Sequence, residues 1–225
     1  MSTQAADLDE FLAPGRFVDS DSPLVRAFTA EVVGTATDPV VWAVRLFEAV
    51  RDRIWYDPFT ASIDPAHYRA SSVLETGRSW CVPKAVLLAA AARAAGIPAR
   101  LGFADVRNHL QTPRLRERMG GSDVFVFHGY TELHLDGCWV KATPAFNAEL
   151  CSRFGIAPIT FSGYSDALLH EYDAAGGTYM EYVRERGVYL DLPLDEVIEA
   201  LRAEYGATIL DDPAGGPDDE FTAPQ

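Results

Sequence analysis

Residues 81–106 read CVPKAVLLAAAARAAGIPARLGFADV, a helix that stops on a glycine and runs straight into a strand. Alanine and leucine are strong helix formers, Gly96 supplies the stop and Pro98 bars continuation, so the pattern predicts a helix over Cys81–Ala95. Val86, Leu87, Leu88 and the alanines leave little polar face, which predicts near-complete burial. Ala99–Val106 then reads as a strand. A cysteine in the first turn of such a helix meets unpaired N–H groups and the positive end of the dipole, and both favour a thiolate. Pro83 at the third position and Gly77-Arg78-Ser79-Trp80 ahead of it support a loop-to-helix junction at Cys81. A small apolar packing role suits the same cysteine, and position alone leaves both readings open.

Upstream, Ser22-Pro23 and Asp38-Pro39 are helix starts. Leu24, Val25, Phe28 and Val32 share a face in the first helix, and Val41, Val44, Leu46, Phe47 and Val50 do so in the second, which runs toward Ile54. Before them, Gly15-Arg16-Phe17-Val18 suits a tethered arm or a short edge strand. Downstream, an Arg-rich loop over 108–122 precedes two strands, Val124–Leu135 and Cys138–Ala142, joined by the hairpin signal Asp136-Gly137. Met180–Arg186 is compatible with a helix, Leu194–Tyr205 is a clear amphipathic one, and the tail DDPAGGPDDEFTAPQ is too polar to bury. The order is helices first, then an antiparallel meander.

In the whole chain of 225 residues, 48% are hydrophobic and 23% charged, the composition of a folded globular protein. Nineteen Lys and Arg against 33 Asp and Glu leave a net charge of -14, which repels phosphate backbones and anionic headgroups. No nucleic-acid or membrane partner is expected, and the acidic start argues against a signal peptide. Cys81, Cys138 and Cys151 show no metal-ligand spacing, so no cofactor or metal is expected, and a cytoplasmic setting would keep all three as thiols. Strand alternation places His128, Tyr130, Glu132 and His134 on one face, where His128 and His134 are both candidate bases.

Three blocks in order give this pattern a family. Gly77-x-x-x-Cys81-x-x-x-Ala85-x-Leu87-Leu88, then Arg93-Ala94-Ala95-Gly96-Ile97-Pro98-Ala99-Arg100, then His128-Gly129-Tyr130-Thr131-Glu132-Leu133-His134-Leu135-Asp136-Gly137-Cys138-Trp139 resemble the transglutaminase-like core. The likeness spans about Asp38 to Phe146, and later stretches are similar to an uncharacterised bacterial branch of that superfamily. The resemblance implies a papain-like Cys-His-Asp arrangement, with Cys81 as nucleophile and His128 as base, while His134 falls where the family has an aromatic or apolar residue. The family's acid position is held by Thr143, and Asn147 is the alternative third member; Glu132 is a weaker candidate, better placed beside the ring than behind it. A neutral partner orients an imidazole but stabilises its charged form less than a carboxylate does. For the oxyanion, the backbone N–H of Cys81 is expected, with Trp80 or Trp55 as a further donor.

The expected fold is therefore α+β, a papain-like transglutaminase core with N-terminal helices packed on an antiparallel sheet. One domain is expected over 1–210, its core about 38–147 and its C-terminal extension 148–210, followed by an acidic mobile tail over 211–225. The expected function is thiol-dependent acyl transfer or hydrolysis on an amide, by a transglutaminase-like acyltransferase, protease or amidase acting through a Cys81 thioester. Its partner is a peptide or amide-bearing substrate, a protein included. The alternative is a non-catalytic binding or scaffold domain that retains the fold. Cys138 and Cys151, with no helix terminus or basic partner, read as structural.

Overall fold

The structure, a computed structural model, describes residues 8–109, 111–171, 177, 179–206, 208–211 and 221. Two helices lead. The first, α1 (Pro23–Val33), opens on its proline, and Ser22 adds no side-chain cap. In the second, α2 (Pro39–Arg53), the Asp38 carboxylate accepts from the Val40 N–H at 2.8 Å, satisfying one of the orphan donors of a helix start. A two-residue strand, β1 (Trp55–Tyr56), follows; α3 (Ala70–Thr76) then leads through Gly77, at φ 65°, into β2 (Arg78–Ser79), which pairs in parallel with β1.

Every side chain from Cys81 to Arg93 of α4 (Cys81–Ala94) is buried, as its all-round apolar pattern requires. Helices α1, α2 and α3 flank it, and a four-stranded antiparallel sheet covers it on the other side. Two basic residues enter this core and donate to backbone carbonyls. Lys84 Nζ donates to the carbonyls of Arg51 at 2.9 Å and Ile54 at 2.5 Å, and the Arg93 guanidinium donates to those of Ala13, Ala99 and Leu190.

The sheet runs in the order β5 (Cys138–Ala142), β4 (Val124–Leu135), β3 (Ala99–Asn108), β6 (Met180–Tyr189). Its central hairpin closes at Asp136-Gly137, both at positive φ, with Leu135 opposite Cys138. The last strand corrects the helix expected at Met180–Arg186. Those residues satisfy the free edge of β3, and this tertiary demand overrides a local pattern of alternating charge. The charges Glu181, Arg184, Glu185 and Arg186 then sit on an edge strand, where they discourage pairing with a further chain.

One other expectation changes, and one is narrowed to the tethered arm of its two alternatives. The loop over 108–122 contains a short helix, α5 (Pro113–Arg118), whose Thr112 side chain accepts from the Leu115 N–H at 3.2 Å, a cap written in the pair Thr112-Pro113. Residues 15–18 form a bend rather than a strand. They are tethered by the Asp191 carboxylate, which accepts from the N–H groups of Arg16 at 2.6 Å and Val18 at 3.0 Å. The tail expected over 211–225 lies, apart from Asp211 and Phe221, outside the described residues. Among the described residues no helix is long and apolar enough to cross a membrane.

The C-terminal extension returns to the sheet through α6 (Ala148–Arg153) and α7 (Leu194–Tyr205). The buried Tyr205 hydroxyl donates to the Val124 carbonyl and accepts from the Val126 N–H, both at 2.8 Å, which clamps α7 to the start of β4. Replacing Tyr205 by Phe strands a buried N–H and a half-buried carbonyl, so Tyr205→Phe is expected to lower the unfolding free energy by about 1–3 kcal/mol, read from urea denaturation with an unchanged m-value.

Candidate active site

Cys81 is the first residue of α4, and Trp80 before it is extended at φ −95° and ψ −176°, so the chain turns sharply into the helix at the thiol. The sulfur lies against the β4 backbone, where the Gly129 N–H is directed at it. Glycine eases this approach, because a Cβ on residue 129 would stand 3.1 Å from Val82 Cα, tighter than ordinary contact. Burial pushes the Cys81 thiol up to about 11, against the opposing pull of the N–H groups of Gly129, Val82 and Cys81 itself and of the Lys84 charge. The resting cysteine is a protonated thiol.

His128 is the next residue along β4 and is buried, with burial alone holding its imidazole down to about 4. The strand is distorted immediately before it. Phe127 takes φ 53°, its N–H donates to Asp105 Oδ1 at 3.0 Å, and the β3–β4 register shifts between Ala104 and Val106. Arg186 locks this turn by bonding both Asp105 oxygens at 2.7 and 2.8 Å and lying 4.6 Å over the Phe127 ring. No hydrogen bond joins the Cys81 sulfur to the imidazole, and His128 Nε2 has no partner among the described residues.

Thr143 follows β5 and is fully buried, its N–H donating to the Ala167 carbonyl at 2.9 Å. Its Oγ1 approaches the Tyr182 hydroxyl without completing a hydrogen bond of normal geometry. Tyr182 also stands edge-on to His128, with ring centroids 6.5 Å apart. This tyrosine of β6 therefore stands beside both the histidine and the threonine, and it is not signalled locally because residues 180–186 carry a helix-compatible pattern.

The other candidates are placed as follows. The Asn147 amide is committed to the backbone: Oδ1 accepts from the Tyr56 N–H at 2.7 Å, and Nδ2 donates to the carbonyls of Arg51 at 2.6 Å and Ile54 at 2.9 Å. Together with Lys84 it fixes the 51–56 segment, so that Tyr56, paired with Ser79, stands beside Cys81 and has its hydroxyl raised by burial and by the thiol. Trp55 Nε1 donates to the Phe221 carbonyl at 2.6 Å, and the Trp80 ring meets Tyr68 edge-on at 6.2 Å. Glu132 is ion-paired with Arg100 at 2.6 Å. His134 packs on Trp139 at 5.2 Å, about 20 Å along the strand from His128 at the usual rise per residue. Cys138 is exposed, and Cys151 is buried and pushed up to about 11 by that burial. Among the described residues no group of three or more His, Cys, Asp and Glu side chains converges to hold a metal.

The buried imidazole has a readable consequence. Between pH 6.5 and about 4 the unfolded chain protonates His128 and the folded chain does not. The stabilisation from the neutral ring is complete above pH 6.5 and is lost as pH falls toward 4. The pH slope of the unfolding free energy in this window is expected to be shallower in His128→Gln than in the parent, by at most about 1.4 kcal/mol per pH unit. Identical slopes in urea titrations of the two proteins at several pH values would show that the ring titrates normally.

Comparison with known proteins identifies the family. The family model described as the transglutaminase-like superfamily matches residues 26–144. No curated protein matches the sequence. Among solved structures, a candidate cysteine protease from Cytophaga hutchinsonii aligns at 17% identity and TM-score 0.48, over 81% of this chain and 54% of that one. The periplasmic domain of TgpA from Pseudomonas aeruginosa aligns at 21% identity and TM-score 0.42, over 64% and 48%. A candidate protease from Parabacteroides distasonis aligns at 14% identity and TM-score 0.38, over 72% and 29%. The chain thus spans about half or less of the length of each of these neighbours. The family match runs from α1 through the helix that begins at Cys81 and on to the end of the β4–β5 hairpin, more than half of the chain, and the protein belongs to the transglutaminase-like superfamily.

Proposed function

We propose that the protein carries out thiol-dependent acyl transfer or hydrolysis on an amide, with Cys81 as nucleophile and His128 as base. The observation that carries this reading is the seating of the Cys81 sulfur in the first turn of α4, against the Gly129 N–H and one residue from His128. In the first step His128 takes the thiol proton as the sulfur bonds to the amide carbonyl carbon. The tetrahedral oxyanion collapses, the C–N bond breaks, and the amine leaves with the proton returned by His128, giving a thioester. Water or a second amine then attacks the thioester carbonyl and frees the thiol.

Electrostatics bear on the rate. A thiol at about 11 and an imidazole at about 4 rest as a neutral pair, so reaction requires the proton transfer to occur with substrate bound. Thr143, in the family's acid position, is neutral and makes no hydrogen bond to the ring, so it supplies no charge to stabilise an imidazolium. That residue is also what favours the second reading, a binding domain that retains the fold without turnover. Cys81, Cys138 and Cys151 are all free, which suits a reducing compartment such as the cytoplasm.

The deciding experiment is acyl trapping. Incubation with an activated acyl donor, a peptide p-nitroanilide or thioester, is expected to place one acyl group on Cys81, seen by intact mass and peptide mapping and released by hydroxylamine. Cys81→Ala abolishes the adduct, and His128→Ala slows its formation by about 10²–10⁴-fold. Thr143→Asp, which supplies a carboxylate near the ring, is expected to accelerate acylation by about tenfold or more. An adduct that forms equally well in His128→Ala would end the acyl-transfer reading.

A further inference from the structure

One residue inside a strand holds a backbone conformation that its side chain disfavours. Among the described residues only two that are not glycine take positive φ: Asp136, in the tight turn of the β4–β5 hairpin, and Phe127 at φ 53°. A bulky residue at such an angle is a true outlier, and it persists only where its surroundings over-determine it. Phe127 immediately precedes His128.

Those surroundings are built from side chains. Along β3 and β4 the pairs Ala104–His128 and Val106–Phe125 leave Val126 and Phe127 opposite Asp105 alone, a β-bulge. The N–H of Val126 donates to the Tyr205 hydroxyl at 2.8 Å, and that of Phe127 to Asp105 Oδ1 at 3.0 Å. Arg186 of β6 bonds both Asp105 oxygens at 2.7 and 2.8 Å and lies 4.6 Å over the Phe127 ring, so it grips the bulge by acid and by ring at once. The Asp105 and Arg186 side chains are only 7% and 18% exposed. Desolvation offsets the attraction within an enclosed ion pair, so stability alone does not account for one placed on this bulge.

A bulge re-aims the side chains beside it, because one extra residue transfers those that follow to the other face of the strand. Beyond this one, Gly129 stands against Val82 and Thr131 bonds the Ala85 carbonyl, both in α4. His128 lies between the bulge and the Gly129 N–H directed at the Cys81 sulfur. We propose that Asp105 and Arg186 are positioning residues for His128: by holding Phe127 in the left-handed conformation they set the direction in which the imidazole leaves β4. Neither touches the reacting atoms. The inference rests on His128 being the base for Cys81, and it gives the C-terminal extension, through β6, a part in assembling the centre.

The test compares Arg186→Met and Asp105→Asn with the parent in the full-length protein. Acylation of Cys81 by a peptide thioester is followed by intact mass over a range of donor concentrations. Each variant is expected to lower the saturating rate by about tenfold or more, as a small displacement of a reacting group does, with the half-saturating concentration unchanged within about twofold. Introduced into His128→Ala, Arg186→Met is expected to change the rate by less than about twofold, because the pair acts through a group already removed. A purely structural role would give the same loss in both backgrounds. Asp105→Asn is near-isosteric and keeps an acceptor for the Phe127 N–H, so the outcome does not hang on the folding of Arg186→Met.

A second readout needs no chemistry at Cys81. In NMR spectra of protein with isotopically labelled histidine, the His128 ring, assigned by its absence from His128→Gln, titrates at about 4 while enclosed. Both variants are expected to move that midpoint up toward 6.5, since a ring released from its place gains water. Direct electrostatics would move it in opposite directions, because one variant removes a positive charge and the other a negative one. Two titratable groups of this centre, Tyr182 at about 12 and Cys81 at about 11, stay neutral throughout the window. Unchanged saturating rates in both variants, an equal loss in the His128→Ala background, or midpoints that stay put or move in opposite directions would each overturn the proposal. Should acyl trapping fail in the parent, the midpoints alone decide: an upward move in both variants sustains the positioning role and removes only the acyl chemistry.

Discussion

The close contact between the first turn of α4 and β4 at Gly129 is the constraint from which the rest of the architecture follows. A Cβ at residue 129 would press on Val82 Cα at 3.1 Å and make strand or helix give by a few tenths of an ångström. With only hydrogen there, the Gly129 N–H reaches the Cys81 sulfur and His128 lies one residue away. The same strand ties the layers together farther along, where Thr131 Oγ1 donates to the Ala85 carbonyl at 2.8 Å. Helix and sheet are thus held in register by two contacts a turn apart, and the buried length of α4 fills the space between them.

The electrostatic character of the site follows from how thoroughly it is enclosed. Helix-start N–H groups and Lys84 favour a thiolate, and desolvation outweighs them. Lys84 is itself fully buried and held below its ordinary range by that burial, while its Nζ remains useful as a donor to two carbonyls. Its role here is mechanical: with Asn147 it pins the backbone from Arg51 to Tyr56, and that segment sets where Tyr56 stands relative to the sulfur. Polarity at this centre is spent on positioning backbone, and the two groups with chemistry to offer are left in their neutral forms.

Much of the framework was legible because its signals are local. The uniform alanine and leucine of α4, the Gly96 stop and the Asp136-Gly137 turn each state a structure within a few residues, and the elements stand at those places. What was not legible depends on partners distant in the chain. Residues 180–189 become a strand only because β3 has an open edge, and Tyr182 reaches His128 and Thr143 only once that strand is in place. The helix at Pro113–Arg118 was readable from Thr112-Pro113 and was masked by its arginines. Cys81, His128 and Thr143 could be named from the family pattern, whereas the commitment of Asn147 to the 51–56 backbone is a matter of three-dimensional packing that no spacing reports.

The tether between Asp191 and the arm has a consequence for how the chain is made. One carboxylate gathers the N–H groups of Arg16, Phe17 and Val18 across as many as 175 residues of sequence, and Arg93 bridges Ala13 to Leu190 beside it. During synthesis at about 5–20 residues per second, the arm therefore waits on the order of ten seconds or more after it leaves the ribosome before its partner exists. Until then Phe17 and Val18, both buried in the finished structure, are exposed apolar groups on a nascent chain. The arm is translated well before Asp191 and is among the last described pieces to lock, so the described fold waits on the closing of this loop rather than on the formation of the Cys81 helix.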